Sequence, residues 1–287
     1  MRRTRLLIGS GLVALLVAMV AIDAKIGFPA LGLVVALFLT LVSQAELIHM
    51  IRGKARPVTR LVQLATAAIF VSKAVMSYVY DRPASAELTL AILCGAALLI
   101  LTQATLRLQF RQGEAASEHA LDVGAGLFAL AYLALPLSFM ADLALRFEGG
   151  EGTFFVAILV FISKCGDIGG YLGGSTFGKR RVMPRVSPKK SWEGSATGLV
   201  LTIAATFGLH AAFPQYFFGL ETLQLVILAV VINLATQMGD FSESMVKRSC
   251  GVKDSGAVLP TFGGALDIVD SLVFSIPVAA MIFALAV

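Results

Sequence analysis

Stretches of roughly 20 apolar residues, set off by short polar connections, recur about nine times along this chain, and they restrict its fold more than any other feature. A hydrocarbon core about 30 Å thick is crossed by about 20 residues of helix, and a segment in lipid must satisfy its own backbone N–H and C=O groups. The runs lie near 6–22, 28–49, 61–80, 87–106, 121–141, 153–172, 194–213, 222–240 and 265–286. With 57% hydrophobic and 14% charged residues and a mean hydropathy of +0.85, the chain falls outside the range of soluble globular domains. The expected fold is all-α, a polytopic integral membrane protein of about nine transmembrane helices. The first run follows Met1-Arg2-Arg3-Thr4-Arg5 as a signal peptide would, but no small-residue cleavage site is clear and a second run follows closely, so it reads as a span. Cys94, Cys165 and Cys250 are widely spaced in or beside different spans; they predict packing residues, with neither a disulfide framework nor a Cys-rich metal site.

Basic residues set the expected orientation. With a cytoplasmic N-terminus, the cytoplasmic segments carry Arg2, Arg3, Arg5, Arg52, Lys54, Arg56, Arg60, Arg107, Arg111, Lys179, Arg180, Arg181, Arg185, Lys189, Lys190, Lys247, Arg248 and Lys253. The other side receives Lys25, Arg82 and Arg146, a ratio of 18 to 3 that the positive-inside rule decides. The C-terminus is then on the opposite side, and both long polar connections, 173–193 and 241–264, face the cytoplasm. A bacterial-type cytoplasmic (inner) membrane is the expected location. The net charge of +5 suits nucleotides and anionic headgroups as partners, although part of it is the ordinary topogenic signal, and no nucleic-acid partner is expected.

The chain divides into residues 1–150, about five short-looped spans, and residues 151–287, where charge, Gly and Pro gather in the two connections. In the first part the polar candidates are Gln44, Glu46 and His49, then Ser72 and Lys73. His49 reads as a helix-end residue near the headgroups, whereas Lys73 at membrane depth requires a partner or a polar cavity. In the second part Lys164 and Asp167, three apart, share a helix face, and the Gly-rich run after them allows close backbone approach to a ligand. Gly173-x4-Gly178-Lys179 is not a phosphate-binding P-loop, since Arg180 stands where Ser or Thr must bind the metal and no βαβ unit precedes it. Ser187-Pro188-Lys189-Lys190-Ser191-Trp192-Glu193-Gly194 places a Ser at a helix start. Asp240, Ser244 and Lys247 form one stripe with Glu243 adjoining, and Gly263-Gly264 precede Asp267 and Asp270, one turn apart. Acids near a helix N-terminus have an ordinary dipole explanation, but acids at the ends of three spans exceed what capping needs. They suit divalent ions that bridge phosphate oxygens, with Lys and Arg completing the cradle; the carboxylates alone equally suit an ion pathway.

The segment from Ser244 to Ser271, "SMVKRSCGVKDSGAVLPTFGGALDIVDS", resembles the signature of the phosphatidate cytidylyltransferase (CDP-diacylglycerol synthase) family. That signature runs Ser-x-x-Lys-Arg, Lys-Asp-Ser-Gly, then Pro-x-His-Gly-Gly-x-x-Asp-Arg-x-Asp-Ser. The upstream "GDIGGYLGGSTFGKRRVMPRVSPKKSWEG" is similar to the family's Asp-x-Gly-Ala-Tyr, Phe-Gly-Lys and Ser-Pro-x-Lys-Thr-x-Glu-Gly elements. The resemblance implies a nucleotidyltransferase in which a lipid phosphate attacks the α-phosphorus of CTP, giving CDP-diacylglycerol and pyrophosphate for phospholipid synthesis. It implies Asp240 and Asp267 as metal ligands with Asp270 and Asp167 close behind, Mg2+ as cofactor with room for a second cation, and Lys247, Arg248, Lys190 and Lys253 on phosphates. Ser187, Ser191 and Glu193 are expected to shape the headgroup or nucleotide pocket, and Ser244, Asp254, Gly263 and Gly264 to border the substrate. The partners implied are CTP, phosphatidate and membrane lipids, and a homodimer is allowed for. Two positions depart from the pattern: Phe262 replaces the histidine and Ile268 the arginine, and neither holds a proton or a phosphate charge. An alternative is therefore a diverged member, either another CTP-using lipid enzyme or an inactive lipid-binding partner protein. An ion-coupled transporter is the remaining alternative; it calls for charge near the midplane of several spans, whereas charge here gathers at one face.

Overall fold

The computed structural model describes residues 2–52, 58–83, 85–110, 116–148, 150–256 and 263–286. Helices dominate: α1 (Arg2–Ile26), α2 (Ala30–Arg52), α3 (Val58–Tyr80) and α4 (Ala86–Phe110), then α5 (Ala116–Ala129), which passes through a π-helical turn (Leu130–Ala134) into α6 (Leu135–Ala144). The second part holds α7 (Gly152–Phe177), a hairpin of β1 (Arg181–Met183) and β2 (Ser187–Ser191), α8 (Trp192–Ala212), a 3-10 turn (Pro214–Phe217), α9 (Thr222–Ser249), the short α10 (Leu266–Val269) and α11 (Leu272–Ala286).

Among the described residues eight helical stretches are long and apolar enough to cross a membrane, from Ala30–Ile51 to Leu266–Leu285. They match the expected spans from the second to the ninth, and the protein is an all-α polytopic membrane protein. The expected first span, 6–22, lies within α1, but its side chains through residue 13 fall outside those described.

Several polar side chains inside the spans find partners at short range, which hydrocarbon favours. Thr40, Thr202 and Thr206 donate to carbonyls one turn back, at 2.7, 2.9 and 2.9 Å. Lys73 resolves into a pair: its ammonium on α3 reaches Asp142 Oδ2 on α6 at 2.5 Å and Ser138 Oγ at 3.2 Å. At the start of α7, Asp23 accepts from Leu31 N and Gly32 N, both at 2.8 Å, and from Thr153 Oγ1 at 2.6 Å, tying α1, α2 and α7 together.

Helices α7 and α8 approach each other closely, and glycines set their spacing. A Cβ on Gly169 would lie 2.8 Å from the Gly198 Cα, so only hydrogen fits between the two backbones. The Gly-rich run, expected to allow close backbone approach to a ligand, is thus interior to α7, and its work at Gly169 is helix contact. The connection at 173–193 is correspondingly short: α7 runs to Phe177, and an antiparallel hairpin, with Arg181 paired to Ser191 and Met183 to Ser187, delivers the chain to α8.

Candidate active site

Three spans and the hairpin bring their charges together at one end of the bundle. Lys164, on α7, reaches Asp167 Oδ2 at 3.2 Å, Ser271 Oγ at 2.7 Å and Asp270 Oδ1 at 3.9 Å. Asp270 occupies the break between α10 and α11, where the helix is interrupted for two residues, and its carboxyl is near enough to Asp240 on α9 for the two charges to oppose each other. Lys190, at the end of β2, pairs with Asp240 Oδ2 and sits 4.7 Å from the centre of the Phe241 ring. Asp167, Asp240 and Asp270, drawn from α7, α9 and the α10–α11 break, thus lie around two lysines.

A second group lies further along α9. Lys247 pairs with Glu243 Oε2 and Asp267 Oδ1, each at 2.6 Å. The other oxygen of Asp267 accepts from Ser255 Oγ at 2.7 Å, Gly264 N at 2.7 Å and Ser255 N at 3.2 Å. Beside it, Glu46 from α2 accepts from Leu266 N at 2.9 Å, Ala265 N at 3.1 Å and Ser255 Oγ at 3.2 Å. Two carboxylates thereby collect the free amides at the start of α10, which no intrahelical carbonyl can reach. The glycines before α10 are explained by this crowding. Gly263 has φ +93°, and a Cβ there would meet Asp267 Oδ2 at 2.6 Å; at Gly264 a Cβ would run into Ser255 Oγ and Glu46.

Most expected site residues therefore fall into two adjoining groups. Asp167, Asp240, Asp270 and Lys190 meet in the first. Lys247 and Asp267 meet in the second, where Gly263 and Gly264 form the turn. Asp240 and Asp267, expected together, belong to different groups. Ser191 caps α8, its Oγ accepting from Gly194 N at 3.2 Å, and Glu193 Oε2 accepts from Lys179 N and Arg180 N at 3.0 and 3.2 Å. Those bonds fix the hairpin that carries Lys190. Ser187 is half-buried in β2 and Ser244 half-buried on α9, while Arg248, Lys253 and Asp254 are exposed. Arg248 donates to Val252 O at 3.2 Å. Ile268 is half-buried in α10; Phe262 lies outside the described residues.

Sequence reasoning left Glu46, Glu243 and Lys164 out of the site. Lys164 and Glu243 carried a legible signal, the helical spacing to Asp167 and Lys247. Glu46 carried only its depth in a span, since its partner Ala265 is 219 residues away along the chain.

Among the described residues no group of three or more acid, His or Cys side chains is already arranged to hold a metal. The adjacent carboxyls of Asp240 and Asp270 nevertheless fit Mg2+, which is typically held by one or two carboxylates together with water and substrate phosphates. Two like charges brought this near each other favour a proton or a cation between them.

The protein-family model described as "Cytidylyltransferase family" matches residues 3–286. A phosphatidate cytidylyltransferase of Mycobacterium bovis is 39% identical over 164 residues, 57% of this chain and 51% of that protein. One of Pseudomonas aeruginosa is 43% identical over 130 residues, covering 45% of this chain and 47% of its own. A chloroplastic one of Arabidopsis thaliana is 38% identical over 134 residues, covering 44% and 32%. The matched part of the chain spans about half the length of the bacterial relatives, 51% and 47% in these two.

Proposed function

This chain belongs to the cytidylyltransferase family, and on that premise we propose that it is a CTP:phosphatidate cytidylyltransferase making CDP-diacylglycerol and pyrophosphate. The observation that carries the reading is the meeting of Asp167, Asp240 and Asp270 with Lys164 and Lys190, five charges drawn from four elements. Ionisable groups gathered among membrane helices mark a functional site, and this mixture of acids and lysines suits a polyanion with its cation.

The reaction joins two anions, so positioning and charge neutralisation carry most of it. Mg2+, when bound, supplies neutralisation of the triphosphate oxygens. Asp240 and Asp270 would hold it, with Asp167 alongside. In the ligand-free arrangement Lys190 and Lys164 are paired with those same acids. On substrate binding both ammonium groups exchange their carboxylates for phosphate oxygens, leaving the acids free for the cation. Exposed Arg248 and Lys253 draw the nucleotide from the aqueous side, and Lys247 holds the α10 turn against α9. The lipid phosphate oxygen attacks the α-phosphorus as the bond to the pyrophosphate oxygen breaks. Phosphatidate reaches the site sideways from the inner leaflet, its tails remaining in lipid. The site accordingly opens to the cytoplasm, and the protein belongs to the cytoplasmic membrane of a bacterial-type cell.

Purified protein in detergent with labelled CTP, phosphatidate and Mg2+ tests this directly. The expected product is CDP-lipid, formed only with the divalent ion. Retained lipid and nucleotide binding without product would replace the proposal with a lipid-binding role for a chain carrying Phe262 and Ile268.

A further inference from the structure

The π-helical turn at Leu130–Ala134 interrupts an otherwise α-helical span, and Tyr132 sits at its middle. A single widened turn adds a residue to the helix and re-aims the side chains on it, which is why such turns recur at functional sites. Pro136 follows within the first residues of α6 and lacks a backbone N–H, so the local ladder is already weakened there. The ring of Tyr132 stacks on Phe128 with centroids 5.1 Å apart and planes 6° from parallel. That stack needs no hydroxyl. Yet the Tyr132 hydroxyl is fully buried and makes no hydrogen bond among the described residues. The carboxylates whose charge reaches it are Glu243, Asp270 and Asp240, on α9 and at the α10–α11 break. A phenylalanine would pack equally well without burying an unmatched donor.

We propose that Tyr132 is a substrate-contacting residue of the site, its hydroxyl donating a hydrogen bond to a phosphate oxygen bound beside Asp240 and Asp270. A neutral donor suits that position. It adds a bond to an anion without adding a cation that would pair with the acids and displace the metal ion. It also brings residues 1–150 into the chemistry, since Tyr132 is contributed from outside the segment that carries the family signature. The inference rests on the cytidylyltransferase reading, and the phosphate belongs either to the lipid headgroup or to the nucleotide.

Tyr132→Phe keeps the stack on Phe128 and removes only the donor. With the full chain in detergent we expect an unchanged or raised thermal midpoint and about a tenfold fall in kcat/KM, equivalent to about 1.4 kcal/mol. A KM raised for phosphatidate alone assigns the bond to the headgroup, and one raised for CTP alone assigns it to the nucleotide. A fall in kcat at unchanged KM places the bond in the transition state. Equilibrium binding of labelled CTP and of phosphatidate in mixed micelles gives a readout independent of turnover. A Tyr132→Phe protein equal to wild type in turnover and in both binding measurements overturns this inference and leaves the cytidylyltransferase reading standing. A wild-type chain that neither binds nor turns over these ligands overturns both.

Discussion

Asp267 and Asp270 are one helical turn apart, yet their surroundings assign them different work. The two oxygens of Asp267 accept from Lys247, Ser255 and Gly264, while Asp270 faces another carboxylate, Asp240, with Lys164 3.9 Å away. Asp267→Asn removes the charge that Lys247 pairs with and turns an amide N–H₂ toward groups that themselves donate. It should destabilise the fold by about 1–3 kcal/mol, visible as a lowered thermal midpoint in detergent, with activity falling as a result. Asp270→Asn relieves the repulsion with Asp240, and Lys164 retains Asp167 and Ser271. Its thermal midpoint should hold or rise while kcat/KM drops at least ~100-fold, about 2.7 kcal/mol of lost transition-state stabilisation. If Asp270→Asn retains turnover at full Mg2+ affinity, the metal assignment moves to other acids. The sequence made both residues conspicuous through spacing and resemblance, but it carried no signal of which oxygen finds a donor and which finds another acid. That depends on where α9 and Ser255 lie in space.

The short helix α10 cannot hold itself in place. Its 4 residues leave the N-terminal amides without helical partners, and a carboxylate from α2 supplies the acceptors. Glu46→Ala should cost about 1–3 kcal/mol in unfolding measurements and lower turnover, because Asp267 and Asp270 are displaced with the turn. Glu46→Gln, which keeps one acceptor oxygen, should fall between wild type and Glu46→Ala; equal stability in all three proteins would show that the capping contact contributes nothing. The α7–α8 pair offers a harsher case. Gly169→Leu cannot be accommodated against the Gly198 Cα without separating the helices, so little monodisperse protein should be recovered on size exclusion in detergent. Helices of this length were legible from apolar runs and charge because lipid leaves few alternatives. The break at Asp270, the hairpin before α8 and the π turn in the fifth expected span were not legible, since none of them changes the apolar runs and charge pattern from which spans are read.

Contacts such as Glu46 to Ala265 and Asp23 to Thr153 show how far the molecule is stitched together across its length, and residues 1–150 serve as more than a membrane scaffold. The sequence placed nearly all of the chemistry in residues 151–287, since motifs are read within continuous segments and a carboxylate that caps a remote helix leaves no local pattern. Sidedness was read differently, from the sum of charges. Glu46 near the end of α2, Lys190 just before α8 and Asp267 at the start of α10 all belong to one end of the bundle. That end carries the basic connections, whereas Asp23 with Thr153 marks the other. From the positive-inside rule we propose that this end faces the cytoplasm. In a variant with Cys94, Cys165 and Cys250 replaced, Lys189→Cys should react with a membrane-impermeant maleimide only in inverted vesicles, and Arg146→Cys only in right-side-out cells. Both sites are exposed, so labelling reports sidedness and not access through the protein. Labelling of Lys189→Cys from outside intact cells would place the acids of Asp240 and Asp270 away from the CTP pool, and a cytoplasmic nucleotide could then no longer be their substrate.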